Sequence, residues 1–203
     1  MANSKNQFRV QLAEPERLKE LEEKAPVELK RHFELIKDGL EAIPGVPRGA
    51  FYGAVTLRAL ALKPEVFYGV FSTEHHAMKQ GEVPSQVKEL LAIAVAKENE
   101  QEANSVCAPY HTGAARLEGA DEDAINAIFG GETGQAVLDP ATHTAIKFGI
   151  KAAFHPNQIN DSDVQELRDA GYGDAAVIEL VTTALITYFL SALNPILNLK
   201  EGA

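Results

Sequence analysis

The sequence predicts an all-α protein, and three observations predict it. Apolar residues recur at helical spacing through most of the chain, prolines and glycines stand where helices start and stop, and convincing strand alternation is absent. From about Glu16 to Leu40, Leu18, Leu21, Val27, Leu29, Phe33, Ile36 and Leu40 fall among charges, which reads as surface helices broken near Ala25-Pro26. Ile43-Pro-Gly-Val-Pro-Arg-Gly49 is a turn region. Pro64 opens the next helix, since proline suits a first turn whose N–H groups are unpaired anyway, and Gly81 ends it. Ser85 is placed to cap a helix running to about Glu98. Further helices are expected over Pro109–Glu118, Glu122–Phe129, Pro140–Ala153, Ser162–Ala170 and Ala175–Asn194.

Within the helix after Ser85, Val87, Leu90, Leu91, Ala94 and Val95 form one stripe, while Ala92, Ile93 and Ala96 cover the opposite face. A helix apolar all round is a central, buried one. Glu89 stands on that second face, one turn before Ile93. Burial disfavours a lone carboxylate and would move its pKa up toward neutrality, the behaviour of a proton shuttle; pairing with a Lys or Arg is the structural alternative.

The 203 residues suffice for a single domain with a substantial core. A net charge of −10 without clustered Lys and Arg argues against nucleic acid as partner. The N-terminus lacks the apolar segment of a signal peptide, and the longest unbroken apolar run, Leu90–Ala96, is far below the roughly 20 residues of a membrane span. The single cysteine excludes an intramolecular disulfide, so a cytoplasmic, reducing compartment is the expectation. His75 and His76 are neighbours that diverge on a helix, and they are expected on its surface or at a subunit contact rather than on a metal ion. His143 and His155 show no partners, and Gly130-Gly-Glu-Thr-Gly134 reads as a connection, since it follows a helix and lacks the Lys-Ser/Thr of a phosphate loop.

The chemistry concentrates in Ala103-Asn-Ser-Val-Cys-Ala-Pro-Tyr-His-Thr112. The thiolate is the reactive form of cysteine, and His111, four residues after Cys107, is placed to take its proton or stabilise the anion. With a helix over Pro109–Glu118, Cys107 sits just before the helix N-terminus, where the dipole favours a thiolate. Upstream, Gly81-Glu-Val-Pro-Ser-Gln-Val-Lys-Glu-Leu-Leu91 is echoed by Gly171-Tyr-Gly-Asp-Ala-Ala-Val-Ile-Glu-Leu-Val181, with Gly eight positions before Glu in both. The echo suggests two related helical halves: an N-terminal extension over 1–42, a half carrying the Cys–His segment over 43–135 and a second half over 136–203, all in one domain.

Together these residues resemble the alkyl hydroperoxidase D-like, or carboxymuconolactone decarboxylase, family, especially its longer peroxidase-related members. That family carries a Glu on one helix and Cys-x-x-Cys-x-x-x-His at the start of the next. Glu89-Leu-Leu-Ala-Ile-Ala-Val-Ala matches the first, Cys107 and His111 match the second cysteine and the histidine, and Ala114, Ala115 and Gly119 match the helix beyond. The first cysteine falls on Asn104, and the connection through Lys97-Glu-Asn-Glu-Gln-Glu102 is somewhat longer than the family's. A second register, with Cys107 as first cysteine and Tyr110 in place of the second, puts Ala114 at the histidine position and fits less well.

The resemblance implies an AhpD-like helical bundle with Cys107, His111 and Glu89 as catalytic residues and no cofactor or metal. It implies a thiol-dependent, peroxidase-like oxidoreductase of antioxidant type acting on a small molecule, with a thiol reductant and a homo-oligomeric assembly, the apolar stretch 184–199 offering a contact. Asn104 removes the internal resolving thiol, so an outside thiol or another subunit would regenerate Cys107. Tyr110 is placed to hydrogen bond a peroxide or to pack. Two other functions share these residues: acid–base chemistry by Glu89 and His111 on a small carboxylate or lactone, and a non-catalytic binding scaffold. For a dicarboxylate, Arg116 is the nearest cation, and its expected place is in solvent.

Overall fold

Ten consecutive residues of one helix, Val87 to Ala96, are buried, and the remaining elements pack around them. The computed structural model describes residues 8–43, 45–99, 107–130 and 138–199. Its helices are α1 (Pro15–Lys24), α2 (Val27–Glu41), α3 (Ala50–Gly53), α4 (Val55–Leu60), α5 (Pro64–Lys79) and α6 (Ser85–Asn99), followed by α7 (Cys107–Leu117) and α8 (Glu122–Phe129). After these come α9 (Pro140–Phe154), a 3-10 turn at Pro156–Gln158, α10 (Asp161–Asp169) and α11 (Asp174–Leu197). No strand occurs among the described residues.

Most elements start and stop where the sequence punctuates them. Pro15, Pro64 and Pro140 each open a helix, and Gly81 and Gly171 take the positive φ that ends a turn and readies the next helix. The Asp139 carboxylate accepts hydrogen bonds from the Ala141 and Thr142 N–H groups, and Asn160 with Asp163 forms a capping box on α10. Three expectations need correction. Ser85 is the first residue of α6 rather than its cap. The sequence reading left 50–63 unassigned, yet α3 and α4 occupy most of it; Ala54, extended between them, keeps each too short to show a period. Finally, α11 is 24 residues long, with a mean hydropathy of 1.8 over its most apolar window, long and apolar enough by length and composition to cross a membrane. Thr182, Thr183, Thr187 and Ser191 interrupt its apolar run without lowering its average hydropathy much. The Thr182 and Ser191 hydroxyls donate back to helix carbonyls at Ile178 and Thr187. Here α11 lies against α5, α6 and α9, a third of that window is buried, and Ile178, Leu185, Phe189 and Ile196 are exposed.

Two apolar cores flank the site. One gathers α6, α9 and α11 with Ala115, Ile125 and Ile128 of α7 and α8. The other gathers α1 to α5 around four aromatic rings, Phe33, Phe51, Phe67 and Phe71. Two glycines let the helices between them meet. A Cβ on Gly113 of α7 would come within 2.5 Å of the Gly39 carbonyl oxygen of α2, and one on Gly39 would meet the Tyr110 ring. The close α2–α7 crossing therefore requires both positions to stay bare, and it fixes Tyr110 at the site.

The internal echo has a structural meaning in its second copy. Glu179, the counterpart of Glu89, accepts hydrogen bonds from the Glu82 and Val83 N–H groups and an ion pair from buried Lys88. It anchors the Gly81 turn ahead of α6, and no cysteine–histidine pair accompanies it. Gly113→Ala should destabilise the protein by roughly 1–3 kcal/mol, because backbone cannot yield as a side chain does; a urea titration against wild type measures it.

Candidate functional site

The α7 helix begins at Cys107, so the thiol stands in the first turn, where unpaired N–H groups and the helix dipole favour an anion. Pro109 is tolerated because a third-position N–H has no intrahelical partner to lose. One turn on, His111 shares the face of Cys107, and both line one cavity. The structure brings the two sequence-predicted residues to the lining of the same cavity.

His111 is 3% exposed, and its Nδ1 lies 2.7 Å from Oε2 of Glu89. Glu89 is buried as its pattern predicts, yet it is not the lone carboxylate that burial would neutralise. Its Oε1 accepts a 2.8 Å hydrogen bond from Lys79 Nζ, which also reaches Glu118 Oε1 at 2.6 Å. Burial by itself pushes the Glu89 pKa up; the His111 hydrogen bond and charge, with the charge of Lys79, outweigh it and hold the carboxyl below its ordinary value. This is the paired alternative of the sequence reading, with Lys79 as the cation, and not the lone carboxylate with a raised pKa. Burial likewise opposes the charge on Lys79, and Glu89 and Glu118 more than offset it, so its pKa is raised. With Glu89 ionised, the proton on the bridging atom belongs to His111 Nδ1, which turns Nε2 away from Glu89.

Lys79 and Glu118 are the functional neighbours that sequence reasoning did not name. Lys79 sits at the end of α5, ten residues before Glu89 and across the Gly81 turn, and only the packed turn brings them together. Arg116 pairs with Glu122 at 2.5 Å on the surface, in solvent as expected. Asn104 and residues 131–134 of the glycine-rich connection lie outside the described residues. His143 and His155 do not line the cavity.

The cavity, about 70 Å³, lies between α7 and the helices α2, α4, α5 and α11, with Cys107, Tyr110, His111, Thr56 and Glu74 on its polar side. Tyr110 is held neutral: burial first, then the charges of Glu74, Glu89, Cys107 and Glu118, push its pKa well above the usual phenol value. The other walls are Ile36, Leu40, Leu57, Phe71 and Leu190. Of the histidine neighbours, His76 is exposed as expected, but His75 is buried, against the expectation of a surface residue. Its ring meets His32 edge-on at 5.1 Å, and burial, then His32 and His76, lower its pKa. The helix face that carries Phe67, Phe71 and Glu74 into the core carries His75 partly with it. Among the described residues no group of three or more His, Cys, Asp or Glu side chains is arranged to hold a metal ion.

The architecture has solved counterparts. A peroxidase-related protein from Silicibacter sp. TM1040 superposes with a TM-score of 0.67 at 17% identity, covering 100% of this chain and 96% of that one. An alkylhydroperoxidase AhpD core, a peroxidase-related protein from Ralstonia eutropha JMP134, gives a TM-score of 0.67 at 16% identity, covering 97% and 93%. The fold is AhpD-like. No family model matches the sequence, and no curated protein matches it. At these identities the AhpD-like likeness concerns the fold, and the chemistry rests on the residues above.

The pairing around Glu89 has a definite pH signature. A carboxyl whose folded pKa lies below its unfolded value adds stability in full above that unfolded value, near 4.5. That stability is lost as pH falls through the folded value. Glu89→Gln should cost on the order of 3 kcal/mol near neutral pH, since it leaves Lys79 and His111 without their shared carboxylate. The difference from wild type should shrink in acid; denaturant titrations across the acid range check both.

Proposed function

We propose that the protein is a one-cysteine, thiol-dependent peroxidase-like oxidoreductase with Cys107 as nucleophile, His111 as its base and Glu89 as the group that orients His111. The observation that carries this reading is the buried 2.7 Å contact between His111 Nδ1 and Glu89 Oε2, on the helix whose first residue is Cys107. A histidine held at Nδ1 by a carboxylate offers Nε2 as proton acceptor, the arrangement by which nucleophiles are activated.

In the proposed reaction His111 takes the Cys107 proton, and the thiolate sulfur attacks the terminal oxygen of a hydroperoxide. The O–O bond breaks, sulfur is oxidised to sulfenic acid, and the alkoxide leaves with the proton that His111 returns. Cys107 then meets an external thiol, releasing water and forming a mixed disulfide, and a second thiol restores Cys107 and departs as a disulfide. The second thiol must come from outside because the chain has one cysteine and carries Asn104 where the resembled family has another. Lys79 and Glu118 act at one remove, as positioning residues that keep Glu89 charged. The exposed apolar stripe of α11, Ile178, Leu185, Phe189 and Ile196, supports a homo-oligomer in this reading.

The test is peroxide-dependent trapping of the sulfenic acid. Exposure to tert-butyl hydroperoxide with dimedone should label Cys107, and His111→Ala should slow labelling on the order of a hundredfold or more. Mass spectrometry of the Cys107 peptide reads the result. Wild-type protein that stays unlabelled while its thiol remains alkylatable overturns the proposal.

A further inference from the structure

The same cavity is lined by Glu74, one member of a second carboxyl–imidazole couple that the proposed reaction does not use. Glu74, on α5, is 4% exposed and lines the same cavity, and His32, on α2, is 1% exposed. Their closest approach, His32 Nε2 to Glu74 Oε2, is 3.4 Å. Neither of those atoms has a hydrogen-bond partner among the described residues, nor does His32 Nδ1 or His75 Nδ1. Buried polar atoms are nearly always satisfied, so a carboxyl side chain in this cavity lining whose buried Oε2 lies against His32 without a hydrogen bond stands out.

The charges around this cavity are unevenly matched. Glu74 and Glu89 are buried and Glu118 stands beside them, while the lysine near them, Lys79, is already shared between Glu89 and Glu118. His32 from α2 lies against Glu74, and Cys107, Tyr110 and His111 from α7 share the cavity lining with it. Among the described residues no Arg or Lys lines the cavity. An anion entering would meet carboxylates in a poorly screened space, where a unit charge acts strongly over a few ångströms.

We propose that Glu74, seated against His32, is a specificity-determining residue that makes the cavity admit neutral ligands and reject anions. This rests on the cavity being the substrate site of the peroxidase-like reading. It favours uncharged hydroperoxides as substrates and disfavours the small carboxylates that the acid–base alternative would require. Its place is in recognition, so Glu74 is not one of the reacting groups.

The charge filter is measurable without any peroxide. Iodoacetamide and iodoacetate alkylate the same Cys107 thiolate and differ in charge, so the ratio of their rates cancels the thiolate fraction. In the folded wild type this ratio should exceed that of the urea-unfolded chain, and Glu74→Gln should lower it about fivefold or more. Glu74→Met, an apolar side chain of similar length, provides the same reading if the Gln variant does not fold. A folded-state ratio equal to the unfolded one, or a raised ratio unchanged in the folded Glu74 variants, overturns the proposal. Loss of the peroxidase reading would show separately, as wild-type Cys107 that forms no sulfenic acid.

Discussion

A buried, ionised Glu89 is the constraint on which the rest of this site depends. An uncompensated carboxylate in the middle of an apolar helix would be strongly disfavoured, so the surrounding elements must supply cations and donors. They do so from two directions: α5 ends with Lys79 over one oxygen, and α7 brings His111 to the other. The end of α5, the buried stretch of α6 and the second turn of α7 meet at this carboxylate. Because α7 must place His111 there, its first residue, Cys107, comes to the rim of the cavity. Stability and chemistry thus share one interaction.

The two cores divide the labour. The α6, α9 and α11 core surrounds the helix that carries Glu89, while the aromatic core of α1 to α5 contributes Phe71 to the cavity that Cys107 lines. The close α2–α7 approach at Gly39 and Gly113 joins them and sets the cavity's width. In the second half of the molecule Glu179 occupies the position corresponding to Glu89 but ties down a turn. The same short pattern therefore holds the carboxylate that meets His111 in one copy and ties down a turn in the other.

Much of this was legible in the sequence. Proline and glycine punctuation gave most helices nearly to the residue, and apolar residues on every face of α6 announced a buried helix with Glu89 inside it. The spacing of Cys107, Pro109 and His111 placed a thiol and an imidazole on one face at a helix start. What stayed hidden depends on contacts between distant segments. Lys79 and Glu118 reach Glu89 only through folded turns, and without them the direction of the Glu89 pKa could not be foreseen. The burial of His75 and Glu74 was obscured because α5 mixes polar and apolar residues on the face that enters the cavity. Short α3 and α4 held too few turns for a period to emerge, and the hydroxyl residues of α11 masked its length as an apolar helix.

The account stands on an ionised Glu89 accepting a hydrogen bond from His111 Nδ1, and the ring nitrogens report that directly. Nitrogen-15 NMR of the histidines, with His111 assigned by substitution, distinguishes the tautomers near neutral pH. The account predicts a protonated Nδ1 in the wild type and a changed tautomer balance in Glu89→Gln. A His111 ring protonated only at Nε2, with Nδ1 accepting from a neutral Glu89, would contradict it and remove the base from the reaction proposed for Cys107.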